Sequence, residues 1–139
     1  MKKLFFVLIV IFAFFVGATS CSKDKQTLVN TNWEVESVKV HSDSTWQYPE
    51  PIGLWKDEFI LKITSKSQYV FGPCSGDVRF LANKKIKFEN GNCFLPGGYP
   101  DLVWECNYML NRITHYELLE NKFTLKGDNG EIINLKKIE

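Results

Sequence analysis

Catalytic signatures are missing from this chain. Its only histidines are His41 and His115, and it holds no HExxH, no GxSxG and no glycine-rich phosphate loop. Without a grouped acid, base and nucleophile, an enzyme is the least favoured class, and no cofactor is implied. CxxC spacing is absent, which removes a zinc knuckle and a thioredoxin-like redox centre. Asp128-Asn129-Gly130-Glu131 lacks the alternating oxygen ligands of a calcium loop, so no metal site is expected. An excess of one charge is also lacking, with 17 Lys+Arg against 16 Asp+Glu. That balance argues against nucleic acid as a partner, since phosphate binding needs a basic surface. Lys84, Lys85 and Lys87 form a dense basic run, but they flank Ile86 and Phe88 in alternation and so read as a solvated strand face.

A membrane-spanning apolar run is lacking too. The stretch from Leu4 to Val16 is uninterrupted, yet it falls short of the about 20 residues that cross hydrocarbon. Preceded by Lys2 and Lys3 and followed by small residues, it reads as a secretory signal peptide. Its exit, Ala18-Thr19-Ser20-Cys21, resembles the lipobox of bacterial lipoproteins. The resemblance implies that the Cys21 sulfur takes a diacylglycerol, that the chain is cut just before it, and that the new amine is acylated. The membrane is then a partner through those acyl chains, each buried CH2 contributing about 0.8 kcal/mol. Residues 1–20 become the signal, 21–30 a polar lipidated tether, and 31–139 one domain. Serine rather than aspartate after Cys21 favours the outer membrane of a Gram-negative bacterium.

From Asn32 onward the apolar residues alternate. Trp33 and Val35, then Phe59, Leu61 and Ile63, then Val78 and Phe80, then Ile86 and Phe88 each mark one face of a half-buried strand. Further strands follow in "HYELLEN", "KFTLKG" and "EIINLKKI", with a hairpin turn at Asp128-Asn129-Gly130. One segment departs from period two. In "PDLVWECNYMLNRITHY", Leu102, Cys106, Met109, Leu110 and Ile113 recur at helical spacing, with Asp101 placed to cap the N-terminus and His115 at the far end. The expectation is a mainly β (α+β) domain, a single antiparallel or barrel-like sheet of seven or eight strands packed with one late helix. Phe59, Leu61, Ile63, Phe80, Ile86, Phe88, Leu110, Ile113, Phe123, Leu125 and Leu135 should share its core.

The succession "LVNTNWEVESV", "FILKITSKSQYVFGPCSGDVRF", "KIKFENGNC" and "YMLNRITHYELLENKFTLKGDNGEIINLKKI" resembles a META domain. That family occurs in bacterial envelope lipoproteins. The resemblance implies a META-like β fold, an envelope setting and no shared catalytic residues. By it, Cys74 and Cys93 fall at the family's two cysteine positions, although Pro73-Cys74-Ser75 replaces the usual glycine-cysteine-asparagine turn. The chain also resembles a lipocalin-like lipoprotein, through the early Trp33 strand and the all-β rhythm.

Three cysteines remain after Cys21, so one must stay unpaired within the molecule. Cys106 sits on the helical stripe, as a buried thiol would, and the family positions favour a Cys74–Cys93 bridge; Cys93–Cys106 is the competing pairing. The long connection "HSDSTWQYPEPIGLWKDE" carries Trp46, Tyr48 and Trp55 between prolines. Such rings suit a binding lip for a peptide, glycan or apolar ligand, and would equally serve to cover an open end of the sheet. The function expected is a lipid-anchored, non-enzymatic envelope module that binds another envelope component, with a lipocalin-like carrier of a small apolar ligand as the alternative.

Overall fold

The computed structural model describes residues 23–50, 57–94 and 98–138. The stretch read as a signal peptide, Cys21 and Trp55 lie outside the described residues. Eight strands close into one antiparallel barrel in sequence order: β1 (Asn32–Lys39), β2 (Ile60–Ile63), β3 (Gln68–Phe71), β4 (Cys74–Leu81), β5 (Lys85–Cys93), β6 (Ile113–Leu119), β7 (Lys122–Gly127) and β8 (Ile132–Ile138). β1 pairs with β8 to complete the ring, which leaves no open sheet edge. A short helix, α1 (residues 23–28), precedes the barrel, and α2 (Asp101–Leu110) interrupts it between β5 and β6.

Period-two burial is what turns these strands inward. In β7, Phe123 and Leu125 are buried between more exposed neighbours, and in β5 Ile86 and Phe88 are buried between exposed lysines. β1 shows what sequence alternation misses. Trp33 and Val35 point inward, but Glu36 is an extra residue against β8, so the next inward side chain is Val38. A bulge adds one residue and resets the face. Most of the expected core residues are buried together, and Phe80 packs partly buried against them. Rings link across the interior, Trp33 to Phe123 at 5.2 Å, Tyr116 to Phe123 at 6.1 Å and Tyr69 to Phe88 at 5.2 Å. The Trp33 indole Nε1 is buried in this cluster without a hydrogen-bond partner.

Three local readings are corrected. Asp101 does not cap α2; Pro100 holds the cap position and Asp101 opens the first turn, where its charge still suits the helix dipole. The buried stripe of α2 is Val103, Cys106, Met109 and Leu110, joined by Asn107, with Leu102 only partly buried. Ile113 and His115 belong to β6, and the exposed His115 meets Thr114 Oγ1 rather than the helix end. The helix ends at Leu110 because the chain must turn back into β6 within two residues. In the tail turn, Gly130 takes the positive φ of 87°.

The stretch read as a tether is ordered from residue 23. Leu28, on the last turn of α1, is fully buried, and Val29 bridges Ile63 in parallel. Asp24 accepts a hydrogen bond from the Tyr116 hydroxyl at 3.3 Å and pairs with Lys84 at 3.4 Å. The apolar Leu28-Val29 pair explains the docking, because a free tether would leave both in water.

Candidate functional site

The barrel interior is the natural place to look for a ligand. It is filled. Val35, Leu61, Phe71, Leu125, Ile133 and Leu135 from the strands meet Cys106 and Leu110 from α2, and the space among them does not admit a water molecule. α2 closes this end so tightly that a Cβ on Gly72 would come within 2.7 Å of Val103 Cγ1. Toward the other end, Leu28 of α1 is fully buried in the same core. Burial pushes the Cys106 thiol up to about 12, with the Glu105 carboxylate adding to it, so the thiol stays neutral.

The outer face of β3, β4 and β5 carries a cleft of ≈ 370 Å³. Opposite the single residue Gly76, β5 inserts both Asn90 and Gly91, since Ser75 pairs with Asn92 while Asp77 pairs with Glu89. Asn90 adopts a positive φ of 53°, and its Nδ2 donates to Asp77 Oδ2 at 2.7 Å. This bulge aims the amide across the sheet and leaves Gly76, without a side chain, in the cleft lining. Thr64, Gln68, Ser75 and Asn92 supply further polar groups around it. Burial, and after it the Asp77 carboxylate, push the Tyr69 hydroxyl above its ordinary value, so it stays protonated to higher pH than a free tyrosine. Beside the cleft, hydrogen bonding from Lys87 and then Arg79 holds the Glu89 carboxyl below the usual carboxylate range. The arrangement can bind a polar, hydroxyl- or amide-bearing ligand.

Trp46 and Tyr48 lie elsewhere, at the end of the barrel closed by α2. They stand 40% and 66% exposed there. The loop is held by paired backbone hydrogen bonds between Val38 and Gln47, both 2.8 Å, while Lys39 Nζ stands 6.0 Å from the Trp46 ring centre. Cys74 and Cys93 face each other across β4 and β5 and form the disulfide, with Cα atoms 4.0 Å apart; Cys106 is the free thiol among the described residues. Phe94, directly after Cys93, is 81% exposed. His41 and His115 belong to no cluster of three His, Cys, Asp or Glu side chains fit to hold a metal ion among the described residues. The cleft residues are not marked by strand alternation, although Asn90-Gly91 inside a strand pattern is a bulge signal that points to them.

No protein-family model matches this chain, and no curated protein matches it. Two solved structures share its fold. One is the NMR structure of a protein from Burkholderia xenovorans, with a TM-score of 0.60 and 14% identity, over 81% of this chain and 85% of the other. The second is a 1.00 Å crystal structure of a DUF4847 family protein from Bacteroides vulgatus, with a TM-score of 0.56 and 9% identity, over 81% of this chain and 95% of the other. At these identities the similarity is one of fold: a mainly antiparallel β-barrel with a late helix.

Proposed function

We propose that this chain is a lipid-anchored, non-enzymatic protein of the bacterial outer membrane, a META-like barrel that binds another envelope component through its outer surface. The observation that carries the binding mode is the packed interior beneath α2, with Leu28 of α1 buried in the same core. A partner is then met on the outside, where the Asp77–Asn90 cleft offers convergent hydrogen-bonding groups. Those groups suit a glycan or a polar segment of an envelope protein better than an apolar molecule. The signal run ending at Cys21 supports the anchor.

The rival carrier would have to displace Cys106 and Leu110, and with them α2, to make room for its ligand. Titrating the chain from Ser22 with an environment-sensitive apolar fluorophore separates the two. No saturable uptake is expected, and stoichiometric binding would favour the carrier. Anchoring is tested on the full chain in a bacterial host, where Cys21→Ala should move the protein from the detergent phase to the aqueous phase. A variant that is still acylated and membrane-bound would sink the lipoprotein reading.

A further inference from the structure

The near-neutral total charge conceals an asymmetry between the two barrel ends. Because all neighbouring strands are antiparallel, residues 23–31 and the turns at 64–67, 82–84 and 120–121 lie at one end. The described parts of the connections, 40–50, 57–59, 72–73, 94, 98–112 and 128–131, lie at the other. At the first end Lys84 is matched by Asp24. Lys23, Lys25, Lys66, Lys85 and Lys122 are exposed there, facing Glu120 as the remaining acid among the described residues of those turns. At the second end Asp43, Glu50, Asp57, Asp101 and Asp128 are exposed, while Arg112, the one Lys or Arg among the described residues of those connections, is turned toward the buried Glu131.

A separate observation marks the basic end as a docking face. Leu81 and Leu119, the last residues of β4 and β6, stand 42% and 71% exposed at the tips of its hairpins, next to Lys85 and Lys122. Leucines projecting beside lysines whose apolar stems can lie along the same surface suit a seat in the headgroup layer of a bilayer.

We propose that this end docks on anionic phospholipid headgroups, holding the barrel upright with its acidic end and the Trp46–Tyr48 loop directed away from the membrane. The proposal takes its setting from the lipid-anchor reading. Cys21 precedes residue 23 by two positions, at most about 7 Å of extended chain, so acyl chains on Cys21 bring α1 against the bilayer.

Residues 23–138 contain both helices and every strand of the closed barrel. The unacylated chain from Ser22 is therefore the folded unit, and it isolates the docking face from the anchor. Its sedimentation with vesicles of phosphatidylcholine alone, or of phosphatidylcholine with phosphatidylglycerol, is the measurement. Binding is expected to the anionic vesicles alone and to weaken as salt rises. A lysine near an anionic surface counts for about fivefold in affinity, so Lys85→Gln with Lys122→Gln should lower binding about thirtyfold. Leu119→Asn should lower it further, whereas Asp43→Asn at the opposite end should leave it unchanged, circular dichroism verifying the fold of each variant. Equal binding to both vesicles, no binding at low salt, or indifference to the lysine changes overturns the proposal. An acylated protein that partitions into membranes while its unacylated barrel ignores phosphatidylglycerol would overturn the docking and leave the anchor standing.

Discussion

Replacing Phe123 with alanine tests the packing of the whole interior. Phe123 is fully buried and lies between the Trp33 ring at 5.2 Å and the Tyr116 ring at 6.1 Å. Its register partners are Leu118 on β6 and Leu135 on β8, so every side of the ring is occupied. Phenylalanine-to-alanine changes in such cores cost about 3–5 kcal/mol, made of lost transfer energy and the cavity that remains. Loss of two tilted aromatic contacts adds about 0.5–1.5 kcal/mol each, and a closed ladder of strands cannot collapse inward to refill the space. A value near the top of the range, about 5 kcal/mol, is therefore expected. Urea unfolding of the chain from Ser22, followed by tryptophan fluorescence and circular dichroism, measures it. Trp33 beside the cavity should also change its emission in the folded baseline. Leu119→Ala, at an exposed position, serves as the control and should cost less than about 0.5 kcal/mol. A loss below about 1 kcal/mol for Phe123→Ala would refute the filled interior.

Three further outcomes follow from the geometry. Replacing Cys74 and Cys93 together by serine opens a loop with a sequence separation of 19, and should lower stability by about 3 kcal/mol; peptide mapping of the non-reduced protein that found Cys106 bridged would contradict the pairing. Cys106 should resist alkylation until the protein unfolds. Its folded pKa is raised from 9.0 to about 12, so its contribution is intact below the ordinary thiol range and lost as pH climbs from there toward 12, where the unfolded thiol ionises and the folded one does not. The wild type should therefore lose stability in that window faster than Cys106→Ala, and parallel pH profiles would argue against the burial. Gly76→Ala places its new methyl 2.5 Å from the Glu89 carbonyl oxygen and 2.7 Å from the Tyr69 ring. Overpacking of this kind costs about 1–3 kcal/mol, and a neutral melting temperature would show that the bulge is looser than described.

The strands are legible in the amino-acid sequence, and the lipobox resemblance at Cys21 is read there in the same way, because each depends on residues close together along the chain. A lipobox is a contiguous word, and the alternation of Phe59, Leu61 and Ile63 or of Ile86 and Phe88 states locally which side is buried. The helical spacing of Cys106, Met109 and Leu110 likewise marks α2, but not its ends, since a cap and a strand start look alike until the chain's direction is known. Closure is not legible. That Cys74 stands opposite Cys93 depends on the register of β4 against β5, and a bulge one residue long decides it. The same bulge sets Asn90 on Asp77 and so makes the cleft. Whether the inward rings line a void or fill it depends on α2 and α1 arriving from outside the sheet, and no strand pattern encodes that. The exposure of Trp46 and Tyr48 is likewise set only once their loop pairs with Val38 through Gln47. Periodicity is a property of neighbours along the chain, whereas pairing, capping and the opposite charge of the two ends arise only when distant segments meet.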